Sequence, residues 1–183
     1  MILESLVASL ITAKCRKGKF ENLARIKIKG WYLFILAALI KFAALYLEAN
    51  PVQGITPIVN KHFMYIYGLS YILIFAGLLL NFGMNSIKFI LIGAFLNFLV
   101  ITANGGQMPV SIEALKIAGL SDQFHITHTA VTEYTKLEIL ADIIPIPKLY
   151  PLAKVLSIGD LLIVLGVFLF IQEMMVIRKK PSL

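Results

Sequence analysis

The sequence has few charged residues for its length. Of its 183 residues only 15% are charged, whereas 59% are hydrophobic. A water-soluble globule of this size needs more polar side chains to cover its surface. There is also a single cysteine, Cys15, which we expect to be a reduced thiol; its basic neighbours also permit S-acylation. The composition therefore indicates a membrane protein with one domain.

The sequence contains four long apolar runs with few charged residues. Each has 17 to 19 residues, and a helix of that length, rising about 1.5 Å per residue, just crosses a hydrocarbon layer about 30 Å thick. The runs are Trp31 to Ala49, Phe63 to Leu80, Ile87 to Ala103 and Leu161 to Ile177. Met1 to Ala13 is shorter and predicts either an uncleaved fifth helix with its amino terminus outside or a helix lying in the interface. The predicted fold is all-α, an integral membrane helical bundle of four to five transmembrane helices.

The positive charge is concentrated in two places. The formal net charge is +7, and one basic segment contains Lys14, Arg16, Lys17, Lys19, Arg25, Lys27 and Lys29. A second cluster, Arg178 to Lys180, follows the last run. Basic flanks of apolar helices mark the cytoplasmic side and attract anionic headgroups. We therefore expect a multi-pass protein of the bacterial cytoplasmic membrane with a cytoplasmic carboxyl terminus. Its basic inner loop contacts anionic lipid headgroups, and it binds no nucleic acid because it lacks a polar basic surface.

This threading leaves residues 104–160 outside the membrane, as a small extracytoplasmic cap or re-entrant segment within a single membrane domain, 1–183. The polar residues of the chain become frequent here. Turn, cap and breaker residues predict four elements: a turn Asn104 to Pro109, a short helix Ser111 to Ala118 ended by Gly119, a helix Thr127 to Ile143, and an extended stretch Pro145 to Pro151.

The segment Asn104, Gly105, Gly106, Gln107 directly follows the third long run. Asn and Gly adopt positive φ readily, so this turn could present free amides to an anion or a carbonyl group. The alternative is an ordinary helix C-cap, because glycine after a helix is common whatever the function. We keep these four residues as a candidate ligand-binding turn.

Two aspartates, Asp142 and Asp160, are both expected near the outer membrane boundary. Paired carboxylates in a partly apolar site can split their pKa values and share acid and base roles. Ser157 and Asp160 also form a Ser-x-x-acid capping box before an apolar run, which would give Asp160 a purely structural role. Asp142 has no such explanation, since a carboxylate near the end of its predicted helix opposes the helix dipole.

Lys41 lies near the middle of the first long run, where an ammonium costs at least about 2.5 kcal/mol. Asn97 has a similar predicted depth and could accept a hydrogen bond from it. The alternative is that Lys41 extends outward toward Glu48. Both Lys41 and Asn97 are therefore candidate ligand-binding residues.

His125 and His128 stand three residues apart, followed by Glu133. On a helix the two imidazoles would share a face and could contribute to a metal or haem ligand set. Two ligands do not make a site, however, and histidines that face solvent or the membrane interface explain the pair equally well. No metal site is therefore assigned, and no cofactor is identified by the sequence.

Three segments of the chain carry a resemblance to a known family. They are Asn-Gly-Gly-Gln-Met-Pro-Val from Asn104, Leu-Ala-Asp-Ile-Ile-Pro-Ile-Pro from Leu140, and the residues 151–160 that follow. The chain resembles, over nearly its whole length, a family of small bacterial polytopic membrane proteins of unknown function. The resemblance implies a membrane location and no known activity. The sequence Ser-Ile-Gly-Asp-Leu-Leu around Asp160 also looks like the last-helix motif of lipoprotein signal peptidase. That likeness implies a catalytic aspartate at Asp160 with Asp142 as its upstream partner.

Three functions follow from these observations. The first is a non-catalytic accessory or binding protein for a membrane-protein partner, a lipid or a small ligand, using the Asn104 turn, Asp142 and Asp160. The second is an intramembrane aspartyl hydrolase with Asp142 and Asp160 as catalytic residues. The third is a small transporter that uses Lys41. The sequence favours the first, and the relative positions of the two aspartates should discriminate among them.

Overall fold

The computed structural model describes residues 2–120, 126–147 and 153–176, and they form a mainly helical bundle. The arrangement confirms the all-α class. The helices are α1 (Ile2–Cys15), α2 (Phe20–Ala24), α3 (Trp31–Ala49), α4 (Thr56–Lys61), α5 (Phe63–Leu79), α6 (Asn85–Ala103), α7 (Ile112–Ala118) and α8 (Ile158–Met175). Four three-residue strands are present, β1 (Met108–Val110), β2 (His128–Ala130), β3 (Ile144–Ile146) and β4 (Lys154–Leu156).

The long helices coincide with the apolar runs. Within the described residues, three of them, α3, α6 and α8, are long and apolar enough to cross a membrane. Helix α5 is also apolar but has 17 residues, which is at the short end of the range for a span. The chain is therefore a helical membrane protein, and the exact number of its spans stays a prediction.

Antiparallel neighbours build the bundle. Helix α3 packs on α5, with the Phe34 ring against Gly77 near one end and Ala44 in the same cluster as Phe63 at the other. Helix α5 packs on α6 through aromatic contacts, because the rings of Tyr71 and Phe75 both contact the Phe98 ring. Helix α6 in turn packs tightly on α8, since a Cβ atom added to Gly93 would overlap the carbonyl oxygen of Gly159. The order in space is therefore α3, α5, α6, α8, with α1 beyond α8.

Helix α1 runs parallel to α8. The Ser5 hydroxyl donates to the carbonyl oxygen of Val164 at 2.9 Å, and Gln172 Nε2 donates to the carbonyl oxygen of Ser9 at 2.7 Å. Arg16 then reaches the Gln172 side-chain oxygen at 2.9 Å. The predicted fifth helix is therefore formed and packs along the bundle, although its 14 residues rise only about 21 Å.

The two ends of the bundle differ in character. At one, which we call the basic end, the amide of Lys19 and the side chain of Asn22 both donate to the carbonyl oxygen of Met175, where α8 finishes. The α5–α6 turn lies there too, because Asn81 exchanges two hydrogen bonds with the backbone of Lys29. At the other, the cap end, residues 104–120, 126–147 and 153–157 cover the helices. The second basic cluster, Arg178 to Lys180, lies outside the described residues.

One predicted element of the cap is wrong. No helix spans Thr127 to Ile143, which lie within the described residues. Instead, β2 pairs in parallel with β1, turns follow, and Glu138–Leu140 forms a single 3-10 turn. Residues 127–135 contain four Thr and one Val, and these β-branched residues prefer extended backbone once a partner strand is available. Strand β3 pairs antiparallel with β4.

Other predicted elements of the cap are confirmed. Helix α7 begins after Ser111, whose side chain accepts from the Ala114 amide, and ends at Gly119 in the left-handed conformation. Strand β3 falls at the start of the expected extended stretch. The cap is joined to α3 by Glu48, whose carboxylate accepts a 2.7 Å hydrogen bond from the Ile126 amide. His125 and the end of the extended stretch, 148–151, lie outside the described residues.

Candidate functional site

A cavity of about 670 Å³ lies between α3 and the α5, α6 and α8 helices, under the cap. Along the described residues, helix α3 packs closely on α5 but not on α6 or α8. The cavity is the gap between α3 and these two helices. It combines an apolar wall with a group of polar side chains. The polar and ionisable lining residues are Lys41, Tyr67, Tyr71, Asn97, Thr127, His128, Asp142 and Asp160.

The cap fixes Asp142 at the cap end of this cavity. The Asp142 amide donates to the carbonyl oxygen of Pro109, and its own carbonyl oxygen accepts from the Ser111 amide, both at 2.9 Å. Val110, between them, forms a bridge with Asp142. Both backbone groups of Asp142 are thus held by the end of β1, so the side-chain direction is set by the strand and not by a helix terminus.

The Asp142 carboxyl group is buried and incompletely paired. Asp142 is only 6% exposed, and its Oδ1 atom has no hydrogen-bond partner in the described structure. His128 Nε2 lies 3.8 Å from Oδ2, which is beyond normal hydrogen-bond length. Burial, and secondarily the charge of Asp160, raise the pKa of Asp142 to about 8. A buried acceptor without a partner costs roughly 1–3 kcal/mol, so this oxygen is suited to receive a group from outside.

Asp160 is held by the chain on both of its oxygens. Oδ2 accepts from the Ser157 amide and the Ser157 hydroxyl accepts from the Asp160 amide, which is the predicted capping box of α8. Oδ1 accepts from Asn97 Nδ2 at 3.0 Å, and the Asn97 oxygen accepts from the Ser157 hydroxyl at 2.9 Å. The capping role is therefore real, and the same residue also lines the cavity with Asp142.

Lys41 faces this cavity from α3. Its ammonium lies 4.3 Å from the centroid of the Tyr67 ring and 5.9 Å from that of Tyr71. Of the partners considered from the sequence, Asn97 lies in the same cavity but is hydrogen-bonded to α8 residues, and Glu48 binds the cap. Within the described residues, Lys41 thus has aromatic ring faces as partners instead of a carboxylate or an amide.

The cavity is polar at one end and apolar at the other. Asp142 and His128 of the cap, with Asp160 at the start of α8, line its cap end. The opposite wall, toward the basic end, is apolar and consists of Phe34, Ala37, Ile74, Leu78 and Ile90. Along α3 the lining extends from Phe34 to Leu45, about 16 Å of helix. This gradient matches a molecule with one polar end and an apolar body.

The Asn104 turn lies outside this group. The Gly106 amide donates to the carbonyl oxygen of Ile101, as in a helix C-cap, and both Gly105 and Gly106 have positive φ. Asn104 binds the backbone of Lys136, and Gln107 donates to the Ile126 carbonyl oxygen. These residues shape the cap, and they are not among the residues that line the cavity. The ligand-binding role considered for them stays a prediction.

Of the two histidines in the candidate pair, only His128 lies within the described residues. No group of three His, Cys, Asp or Glu side chains is clustered there. His128 lies on β2 and not on a helix, its Nδ1 is 2.7 Å from the Thr127 hydroxyl oxygen, and its Nε2 faces Asp142. It therefore belongs to the cavity, whereas His125 lies outside the described residues.

Two cavity residues were missed by the sequence analysis, Tyr67 and Tyr71. They stand four residues apart in α5 and hence on one helix face, with ring centroids 5.2 Å apart and both rings buried. The signal was available: two tyrosines on one face of an otherwise apolar span bring hydroxyl groups into the bundle, where each needs a polar environment.

A second cavity, of about 580 Å³, lies between α1 and α8. Its walls are mainly apolar, and its charged residues, Glu4 and Lys154, form an ion pair with each other. The described lining contains three polar side chains, Glu4, Ser5 and Lys154, against eight in the cavity beside α3. The cavity beside α3 is therefore the candidate site.

Comparison with known proteins identifies the family of this chain. Residues 25–172 match the family described as "Family of unknown function (DUF5317)", and the chain belongs to that family. It is also 30% identical over 182 residues to an uncharacterized protein of Thermotoga maritima, covering 100% of this chain and 94% of the relative. No solved structure matches the chain. These findings confirm the expected family and give no support to the local likeness to lipoprotein signal peptidase.

Proposed function

We propose that this member of the DUF5317 family is a membrane-embedded binding protein. Its cavity between α3 and the α5, α6 and α8 helices takes a small amphipathic ligand. The polar head of the ligand lies at the cap end beside Asp142, and its apolar body lies along α3 toward Leu78. The protein then acts as a non-catalytic carrier or sensor of a lipid-like molecule, or as its accessory in a membrane complex.

One observation carries this proposal, the unpaired Oδ1 atom of Asp142. The atom is buried, and the Asp142 backbone is held rigidly by β1 and Ser111, so the side chain cannot easily turn to solvent. Folded proteins leave few buried polar atoms without a partner, and each such atom calls for an explanation, such as a bound water, an ion or a functional role. A hydrogen-bond donor on a ligand would complete this site.

The hydrolase alternative has less support. An aspartyl dyad needs two carboxyl groups that share a proton or a water. Both oxygens of Asp160 already accept hydrogen bonds from the chain, one from Asn97 and one from Ser157. A transporter that uses Lys41 requires a continuous polar path, whereas the wall toward the basic end is apolar. The binding role needs neither feature.

The test uses dodecyl chains that carry a photoreactive diazirine near the tail end, added to the full chain in detergent micelles. Crosslinks should map to α3 and α5 residues of the cavity. Ala38→Leu adds bulk to the cavity wall at an exposed position and should reduce this labelling at least about tenfold. Ala43→Leu is the matched control, because Ala43 is exposed on the same helix and does not line the cavity. Equal labelling of the two variants would refute the proposal.

For the membrane itself, we propose the bacterial cytoplasmic membrane, with the basic end and the carboxyl terminus in the cytoplasm. The support is the positive-inside rule applied to the segment from Lys14 to Lys29. These residues also provide the contact with anionic headgroups. Cys15 is exposed at this end, so it reports on the orientation directly.

An impermeant thiol reagent on intact cells tests the orientation. Native Cys15 should react only after the membrane is permeabilised. In a Cys15→Ser background, Glu133→Cys places a thiol at an exposed cap position and should react in intact cells. The reverse pattern would show that the protein has the opposite orientation.

A further inference from the structure

The chemistry around Asp142 narrows the class of ligand, and this step rests on the proposed function. At the cap end of the cavity, acid groups and electron-rich rings lie together. Asp142 and Asp160 line the cavity together with Tyr67 and Tyr71. Tyr67 stands beside Tyr71 with 5.2 Å between the ring centroids. A hydroxyl head group on the ligand would donate a hydrogen bond to Asp142 Oδ1 but would gain nothing from the Asp160 carboxylate or the tyrosine ring faces.

We infer that the head group is an organic ammonium, held between the Asp142 carboxyl group and the faces of Tyr67 and Tyr71. The ammonium would donate a hydrogen bond to Asp142 Oδ1, the oxygen that lacks a partner. It would also gain from the negative charge of Asp160, which stays bound to Asn97 and the start of α8. The ligand is then a single-chain or lipid amine whose apolar body follows α3.

The chain itself contains an example of this interaction. The Lys41 ammonium lies 4.3 Å from the Tyr67 ring centroid, at cation–π distance, and forms no ion pair with either aspartate in the described residues. The ring faces of this cavity therefore suit an ammonium group, and a ligand ammonium would take this place while the flexible Lys41 side chain moves away from the rings. Cation–π contacts strengthen when the groups are removed from water, and both rings are buried.

Binding of an ammonium at this position is linked to a proton. Burial and Asp160 raise the pKa of Asp142 to about 8, so near neutral pH this group is protonated in the empty cavity. A cation placed beside it favours the carboxylate, so the proton leaves to solvent as the ammonium binds. The other titratable groups facing Asp142 are Asp160 on α8, His128 on β2, Lys41 on α3, and Tyr71 with Tyr67 on α5.

The experiment compares three photoreactive amphiphiles with the same dodecyl chain: an ammonium, an alcohol and a phosphate. All are tested on the full chain in micelles between pH 6 and pH 8, where an alkylammonium keeps its charge. The ammonium should label the cavity most strongly. Its affinity should rise by about tenfold from pH 6 to pH 7 and by less from pH 7 to pH 8, since one proton with a pKa of about 8 is displaced. The alcohol should show no such rise.

Variants separate charge from simple occupancy. Asp142→Asn keeps the shape of the side chain but cannot become negative, so ammonium affinity at pH 8 should fall at least about tenfold and its pH dependence should vanish. Glu133→Gln, at an exposed acid of the same cap, should change neither. If Asp142→Asn fails to fold, Tyr67→Leu provides a second test, because loss of the ring face should weaken the ammonium more than the alcohol.

The outcomes distinguish the two levels of the proposal. Stronger cavity labelling by the alcohol or the phosphate, blocked by Ala38→Leu, would overturn the ammonium inference and leave amphiphile binding standing. An ammonium affinity that does not depend on pH or on Asp142 would also overturn the inference. If none of the three probes labels the cavity, the proposed function fails as well.

Discussion

The two sides of the bundle are packed differently. On one side α6 and α8 approach so closely that their glycines contact the facing backbone, whereas on the other side α3 touches α5 and leaves a cavity toward α6 and α8. In their central 18-residue stretches, 39% of α6 is buried but only 11% of α3. The molecule thus combines a rigid pair with a more loosely attached helix, and the candidate site lies where they meet.

Small residues make the rigid pair possible. A Cβ atom on Gly159 would overlap the Asn97 side-chain oxygen and lie 2.7 Å from the Gly93 carbonyl oxygen. One on Gly166 would lie 2.8 Å from the backbone nitrogen of Ile90. Close backbone approach of this kind is how helices associate in a membrane, where burial of apolar groups gives little driving force. Ser86 adds a 2.6 Å hydrogen bond to Glu173 near the basic end.

The largest expected effect is on this pair. Gly159→Ala should destabilise the protein by more than about 3 kcal/mol, because the added methyl group meets backbone and the buried Asn97 amide and neither can move freely. The measurement is the thermal unfolding midpoint in detergent. Gly68→Ala, in α5 with nothing within 4 Å of the new Cβ, should instead stabilise by up to about 1 kcal/mol. Similar changes in the unfolding midpoint of the Gly159→Ala and Gly68→Ala variants would show that α6 and α8 are not packed more tightly than the rest of the bundle.

The next effect concerns the junction of α6 and α8. Ser157→Ala should cost about 1–3 kcal/mol, because it removes the cap of α8 and leaves the buried Asn97 oxygen without its donor. Ser111→Ala removes only a cap bond of 3.3 Å at α7 and should cost less, about 0.5 to 1 kcal/mol. Chemical or thermal unfolding of the two variants compares them. An equal or smaller loss for Ser157→Ala would show that the Asn97 network adds nothing.

Asp142 should make stability depend on pH. Its folded pKa, about 8, exceeds its ordinary value of 3.8, so between these values the folded state holds a proton that the unfolded state has lost. Stability therefore falls as pH rises from about 4 to 8, by at most about 1.4 kcal/mol per pH unit. Asp142→Asn should remove this slope, and Glu133→Gln should keep it. A wild-type slope that is retained in Asp142→Asn would assign it to other groups.

Lys41 should give the smallest change. Lys41→Leu removes a cation–π contact worth about 0.5 to 2 kcal/mol, but it also removes the cost of an ammonium in the apolar layer, at least about 2.5 kcal/mol. The net effect should be a gain on the order of 1 kcal/mol in thermal unfolding. Lys88→Leu, near the start of α6, should show no gain. A clear loss in Lys41→Leu would indicate that the loosely packed side depends on this residue.

Sequence periodicity and length predicted the bundle well, because apolar runs of this length have few alternatives in a membrane. The start of α8 was also predictable, since the capping box from Ser157 to Asp160 is a local signal. The cap was not: parallel pairing of β1 with β2 joins segments about 20 residues apart, and local propensity does not contain that information.

The candidate site was only partly predictable. Asp142 was identified as unusual for its supposed place at the end of a helix, yet its real setting is a strand edge in the cap. Asn97 and Lys41 were placed at a common depth, and both line the cavity, but their partners depend on the direction of each helix face. Tyr67 and Tyr71 acquire their role only from the gap beside α3, which depends on packing among four helices.

The parallel contact between α1 and α8 constrains how the protein is made. About 140 residues separate the two helices in the chain, and translation at about 5–20 residues per second takes roughly 7 to 30 s to produce them. During that interval Ser5, Ser9 and Arg16 have no α8 to bind, so α1 must wait beside the insertion machinery or at the membrane surface. Its docking is therefore a late step that follows the synthesis of α8, and slower translation of α6 or the cap would prolong the exposure of α1 to proteases and chaperones.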